Sequence, residues 1–407
     1  MTASWVPMPD GHGFGPANLP LGIHRPTGTT TARVGTRIGD QILDLAAAAA
    51  ALAPHWREMF ATDSLSALLA AGRETWSAVR GSLQSWLTDP AYADVLAPLL
   101  TDHRAAEMLL PFPVADYVDF YSSEHHARNA GQIFRPGGET LTANWKHLPI
   151  GYHGRAGTVV VSGTPVTRPS GLRRTTPDDP PTFGPTERLD IEAEVGFVVG
   201  VPSSLGSPVP LVDFPEHVFG VCLVNDWSAR DIQAFEYVPL GPFLGKSFAT
   251  SISPWIVPLE ALSAARVTPP ERNPPVAPYL DDRTAPWGFD LTLEVRLNGE
   301  LISTPPFAGM YWTAAQQLAH LTVNGASLRT GDLFASGTVS GPDRGQRGSL
   351  LELSWGGTDP ILLAGGGRRS FLLDGDQVTV TATAPANDGT RLSFGEVTGR
   401  VSSGGVT

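Results

Sequence analysis

The chain has 407 residues and a formal net charge of −12, which argues against nucleic acid as a partner because phosphate binding needs a basic face. Its single cysteine, Cys222, excludes an internal disulfide framework and any cysteine-based zinc site. The length is enough for two to three domains around a large core. With 44 Gly and 37 Pro, about a fifth of the chain, turns and β structure are expected over long helices.

Residues Met1-Thr-Ala-Ser-Trp-Val-Pro7 show neither a basic nor an apolar leader region, so no signal peptide is expected. Short β-like runs follow, at Pro20–His24, Thr31–Gly35 and Arg37–Leu43, with Gly39-Asp40 as a hairpin turn. From Asp44 to about Leu100 the pattern turns helical. Its longest apolar tract, Leu45 to Pro54 with six consecutive alanines, is about half a membrane span and predicts a helix only. No membrane partner is expected, the C-terminal Gly-Gly-Val-Thr407 carries no recognisable address, and a cytoplasmic location is the default. No ionisable cluster stands out in this first unit, which suggests a structural or assembly role.

After the break Leu110-Pro-Phe-Pro113, short β runs separated by Gly, Pro, Asn and Asp continue to the end, without regular βαβ alternation. The fold class expected is mainly β with some helix (α+β). The segments Thr176–Pro185 and Pro269–Pro278 read as irregular surface loops. Thr313 is expected to cap a helix over Ala314–Leu321 that Asn324-Gly325 stops, and Gly365-Gly-Gly367 reads as a hairpin turn. Cys222 lies in the apolar run Val218–Val224 and is expected to be a small buried hydrophobe.

Chemistry concentrates in Asp119-Phe-Tyr-Ser-Ser-Glu-His-His126, which reads as a loop able to aim one group at a metal and another at a water. In Leu189–Val199, Ile191, Ala193, Val195, Phe197 and Val199 share one strand face while Glu192 and Glu194 share the other. Two such neighbouring carboxylates repel by roughly 2–4 kcal/mol at intermediate dielectric; the competing reading is an outer strand face in water. Asn225-Asp226 ends the next buried run, and Ser228-x-x-Asp231 reads as the cap of a helix placing Arg230, Gln233 and Tyr237 on one face. Gly245-Lys246-Ser247 follows in a loop that can return an ammonium to the site. Asp119, Glu192, Glu194 and Asp226 offer four carboxylates and no sulfur, a donor set selecting Ca²⁺ or Mg²⁺ over zinc or copper. His126 is more useful as a base than as a ligand, with His125 as an ambiguous neighbour. Gly331–Thr338 reads as a strand ending in a small-residue turn. Ser349–Trp355 reads as a strand on which Glu352, taken alone, is a solvated side chain.

Taken together, Asp119-Phe-Tyr-Ser-Ser, Trp145–Arg155, Asn225–Asp231, Tyr237–Ser247 and Ala335-Ser-Gly-Thr338 resemble the fumarylacetoacetase family, and the likeness extends from Asn18–Gly22 and Arg37–Asp44 over nearly the whole chain. The resemblance implies a small SH3-like β-barrel domain with a helical extension over residues 1–113, then a mixed β-roll catalytic domain over 114–407 that forms a homodimer. It implies hydrolysis of the carbon–carbon bond of fumarylacetoacetate to fumarate and acetoacetate, the last step of tyrosine and phenylalanine breakdown. By motif position, Asp119, Glu192, Glu194 and Asp226 would hold a Ca²⁺-type ion, while the Lys246 carbonyl and Thr250 would share a Mg²⁺ with Asp226. His126 takes the place of the base and Glu352 that of its orienting carboxylate. Arg230, Gln233 and Lys246 are candidates for stabilising the oxyanion, and Tyr121, Arg135, Tyr152, Gln233, Tyr237 and Thr338 match positions that contact a small diketo-acid substrate. The alternatives are hydrolysis of another β-diketone or acylpyruvate, an oxaloacetate-type decarboxylase on the same site, or a catalytically silent Ca²⁺-binding assembly module.

Overall fold

The computed structural model describes residues 3–174, 176 and 178–404. Pro177 and the outermost residues of both termini lie outside the described residues; the segment Thr176–Pro185, expected to be an irregular loop, ends in a strand, Thr182–Pro185, paired with Ser170–Arg173. The first unit is a five-stranded antiparallel sheet in the order Leu100–Asp102, Gln41–Asp44, Arg33–Ile38, Leu21–Pro26, Ala106–Leu109. Gly39, at φ +56°, makes the expected hairpin turn. The alanine tract is the helix Leu45–Leu52, started by Asp44, whose carboxylate accepts from the Ala47 N–H. No described helix is long and apolar enough to cross a membrane.

The second unit is built on a mixed eight-stranded sheet. Its path runs Gly151–His153, Tyr117–Phe120, Leu333–Ala335, Ala193–Val199, Val218–Asp226, Thr250–Ile252, Val159–Val161, with Val257–Pro258 also paired to Val218–Asp226. Side-chain alternation along these strands divides two cores. Val195, Phe197, Leu223 and Phe334 face a large cluster covered by a second sheet, Glu300–Ser303, Thr292–Leu297, Gln377–Pro385, Arg391–Ser402 and Val166–Thr167. Val198, Cys222, Val224 and Leu333 face the other way and pack with Ile23, Leu43 and Trp76 of the first unit. Cys222 is a buried hydrophobe whose thiol is pushed up to about 12 by burial. The α+β class with curled, mainly β layers is the one expected.

Several local expectations hold. Thr313 caps Ala314–Thr322 in a reciprocal capping box with Gln316, and Gly365–Gly367 joins the short strands Ile361–Leu362 and Arg368–Arg369. Others need correction. The Asp119–His126 segment is not one loop: Asp119 lies on Tyr117–Phe120, and His126 lies in the helix Glu124–Phe134, capped by the Ser123 hydroxyl. The helix near Arg230 spans Arg230–Glu236 and has no side-chain cap, because Ser228 is paired in a strand and its hydroxyl donates to the Asp226 carbonyl. Ser349–Trp355 is not a strand; Leu350–Leu353 forms a helical turn and Glu352 is fully buried. The first unit also gathers a half-buried ionisable cluster, with His12, Arg37, His103 and Arg104 in ion-pair range of Asp40.

Candidate active site

Strand register brings the carboxylates together. Leu333–Ala335 runs between Tyr117–Phe120 and Ala193–Val199, with Ala335 opposite both Asp119 and Gly196. Ala193 pairs with Asn225 and Asp226 with Thr250. Asp119, Glu194 and Asp226 thus sit near strand ends at one edge, and Glu192 lies one residue before its strand. Chain can leave Ala335 there because Gly337 adopts φ +77°; a Cβ at that position would meet the Phe120 carbonyl oxygen at 2.0 Å.

The resulting cluster is deeply buried. Oxygens of Asp119, Glu192, Glu194 and Asp226 all lie within 4.8 Å of one another. Glu192 and Glu194 therefore do not form a water-facing strand surface. Lys246 Nζ bridges Glu192 and Asp226 at 2.5 Å each, and Arg230 Nη2 stands 2.8 Å from Glu192 Oε1. Burial would raise the Glu192 carboxyl, but Lys246 and Arg230 outweigh it and hold it well below the usual range. Glu194 and Asp119 go the other way: burial, then neighbouring carboxylates, push both well above the ordinary value. Both Glu194 oxygens and Asp119 Oδ1 are buried without a hydrogen-bond partner. Four converging oxygen donors, part of them orphaned, fit a hard divalent cation.

A second buried carboxylate system adjoins the first. Glu352 Oε2 accepts from His126 Nδ1 at 2.7 Å, Ser349 Oγ at 2.8 Å and Ser340 Oγ at 2.9 Å, and Oε1 accepts from Asn129 Nδ2 at 2.9 Å. Burial alone would raise Glu352, but His126 and these donors hold its carboxyl below the usual range. An ionised Glu352 requires the proton on Nδ1, so Nε2 is the acceptor. Nε2 lies 3.9 Å from Glu192 Oε1, and His126 lines the cavity whereas His125 does not.

That cavity measures about 360 Å³. Asp119, Tyr121, His126, Arg135, Tyr152, Glu192, Arg230, Gln233, Tyr237, Lys246 and Thr338 all line it. Arg230 Nη1 donates to Gln233 Oε1 at 3.2 Å, and the Tyr121 ring meets His126 edge-on. Tyr152 donates its hydroxyl to Asp226 at 3.0 Å, and Thr250 donates to the other Asp226 oxygen at 3.2 Å. Arg135 is exposed at the rim, its guanidinium near the Glu139 and Thr140 carbonyls. Asp226 and Thr250 line a smaller adjoining cavity, while Glu194 and Glu352 lie behind the walls. Phe134, Ile150, Leu240 and Pro242 make the mouth apolar.

Sequence reasoning missed Asn129, Ser340 and Ser349, which hold Glu352, and Asp190, which holds Arg230. Only Asp190 left a signal, as a third acid in Asp-Ile-Glu-Ala-Glu194. The family model described as Fumarylacetoacetate (FAA) hydrolase C-terminal matches residues 116–402, and Fumarylacetoacetase N-terminal matches residues 17–111. The chain is 45% identical to a fumarylacetoacetase of Bos taurus and 44% identical to that of Homo sapiens, each over 98% of both chains. It is 42% identical to that of Arabidopsis thaliana over 94% of both. In fold it is similar to a fumarylacetoacetate hydrolase from Exiguobacterium antarcticum, with TM-score 0.54 at 19% identity over 94% of this chain and 99% of that one. It is also similar to a maleylpyruvate hydrolase from Sphingobium crystallised with manganese(II) and pyruvate, with TM-score 0.50 at 15% identity over 95% and 100% of the chains. The chain belongs to the fumarylacetoacetate hydrolase family.

Proposed function

We propose that this chain hydrolyses the carbon–carbon bond of fumarylacetoacetate, giving fumarate and acetoacetate at the end of tyrosine and phenylalanine breakdown. The observation that carries the reading is the His126–Glu352 pair beside four clustered carboxylates, in a chain 44–45% identical to fumarylacetoacetases over 98% of their length. A decarboxylase on the same metal cluster could dispense with a water-activating pair; the buried, fully bonded Glu352 favours hydrolysis.

Asp119, Glu192, Glu194 and Asp226 would hold one divalent ion, in our reading Ca²⁺, and Asp226, the Lys246 carbonyl and Thr250 a second, Mg²⁺. When bound, such an ion supplies Lewis-acid polarisation of a substrate carbonyl and charge stabilisation. His126 Nε2 takes a proton from water while Glu352, bonded to Nδ1, stabilises the imidazolium that forms. The hydroxide adds to a carbonyl carbon, and the developing oxyanion meets donors on Arg230, Gln233 and Lys246. The carbon–carbon bond then breaks with its electron pair leaving on the acetoacetate carbon, and the proton held by His126 balances that charge. Tyr121, Tyr152, Tyr237 and Thr338 would position the diketo acid, with Arg135 pairing its carboxylate end. The division into an SH3-like unit over 1–113 and a β-roll unit over 114–407 belongs to the same reading, supported by family models that meet between residues 111 and 116. So do a homodimer, a cytoplasmic location, and the absence of nucleic acid or membrane partners.

The test is the loss of fumarylacetoacetate ultraviolet absorbance with purified protein. His126→Gln is expected to lower the rate roughly 10²–10⁴-fold. Equal rates for wild type and variant would refute the mechanism, and a preference for a simple acylpyruvate would refute the substrate.

A further inference from the structure

We infer that Asp190 is a positioning residue for this reaction, its one buried carboxylate fixing both Arg230 and the helical turn that carries Glu352. The inference rests on the function proposed above. Asp190 is fully buried, yet its two oxygens accept four hydrogen bonds. Oδ2 takes Arg230 Nε at 2.8 Å and the Leu351 N–H at 3.0 Å; Oδ1 takes the Leu350 and Ile191 N–H groups at 2.7 Å each.

These contacts tie Arg230 directly to the turn that carries Glu352, beside the approach of Glu192 to His126 and its bridge to Ser349. Leu350 and Leu351 open the turn Leu350–Leu353, whose first N–H groups have no partner within it. Ser349 Oγ serves only the third, that of Glu352, at 3.3 Å. Asp190 supplies the acceptor for the other two, and so sets the pitch at which Glu352 meets His126. On its other side, Asp190 is paired in a two-residue strand with Ser228, just before Arg230. By holding Nε, it turns the two remaining guanidinium nitrogens toward Gln233 and Glu192 at the cavity wall. Without that hold, Arg230 would be free to collapse fully onto the acidic cluster. One carboxylate thus keeps the oxyanion donor and the base-orienting acid in a common frame, where displacements of about 1 Å are costly.

The test is Asp190→Asn in the full-length protein, which conserves shape but opposes an amide N–H₂ to donors. We expect kcat to fall roughly 10²-fold with KM changed by less than about threefold. Combining it with Arg230→Gln should lower kcat by less than the product of the two single losses, because one hold is already gone, while the loss that remains reports the turn carrying Glu352. A downfield proton resonance of His126 Nδ1, identified by its absence in His126→Gln, should shift or broaden. A merely structural residue would lower the melting temperature and leave both kcat per folded molecule and that resonance unchanged; that result overturns the inference. Should Asp190→Asn not fold, Asp190→Glu keeps the charge one methylene out of place and should show the same selective loss in kcat; native kcat there also overturns it. If wild type fails to cleave fumarylacetoacetate, the functional reading falls, and the resonance, which needs no substrate, still decides on Asp190.

Discussion

Glu194 and Glu352 are both fully buried acids in one candidate active site, and they are built in opposite ways. Glu352 has a hydrogen-bond donor at every reach of its two oxygens, and His126 makes its charge favourable. Glu194 has none, and its neighbours are further acids. A buried carboxylate with satisfied oxygens can stay ionised and orient a partner; one with orphaned oxygens must be protonated or find a cation. The first is a finished part, the second half of a site that a metal would complete.

The largest effect should come from the unfinished half. Chelation of the purified protein is expected to lower its rate of fumarylacetoacetate cleavage roughly 10³-fold or more, since several kcal/mol of charge stabilisation is at stake. Added Ca²⁺ or Mg²⁺ should restore it. Glu194→Gln should reproduce the loss without lowering the melting temperature of the metal-free protein, because the carboxyl it replaces has no hydrogen-bond partner there. A variant that is instead destabilised in chelator would erase the contrast with Glu352.

Glu352→Gln acts on the finished half. The amide oxygen can still accept from Nδ1, but the neutral side chain no longer stabilises the imidazolium that forms when His126 takes the proton. A fall in kcat of roughly 10²-fold is expected, with divalent-ion affinity by titration calorimetry unchanged. If ion affinity falls alongside kcat, the two halves are not separate.

How much of this was legible depends on the range of the cause. The face of Ile191, Ala193, Val195, Phe197 and Val199 was readable because strand alternation is local, and all five enter one core. Thr313 announced its helix because an N-cap is written next to the residues it caps; Gln316 completes the box in the structure. Ser228-x-x-Asp231 carried a comparable signature and misled as to the cap, because tertiary pairing of Ser228 with Asp190 took the serine into a strand. Ser349–Trp355 alternates like a strand over a length too short to arbitrate; what makes it helical is Asp190, some 160 residues earlier, accepting from Leu350 and Leu351. The four carboxylates were visible as residue types, and the resemblance grouped them. That two are held ionised or bridged by Lys246 while others are orphaned follows only from three-dimensional neighbours. The polar seat of Glu352, built from Asn129, Ser340 and Ser349, left no pattern because each residue reaches it from a different segment.

The smallest effect tests the same contrast through stability rather than rate. In metal-free protein, Asp119 and Glu194 have folded-state pKa values well above the ordinary carboxylate value, through burial first and then neighbouring acids. Between the unfolded value near 4 and the raised folded value, the native state binds more protons than the unfolded chain. The stability these groups contribute is therefore present below the unfolded pKa and is lost as pH rises through the folded one, at about 1.4 kcal/mol per pH unit for each proton of difference. Glu192 and Glu352, whose values are depressed, act oppositely and only as pH falls below the ordinary range. A bound divalent ion needs the cluster ionised, so it removes the first slope and leaves groups elsewhere untouched. The difference in melting temperature between ion-loaded and chelated protein isolates the cluster for that reason. It should grow steadily from pH 5 to pH 8 in wild type and shrink in Glu194→Gln, but keep its growth in Glu352→Gln. A difference independent of pH would mean that Glu194 is as well satisfied as Glu352.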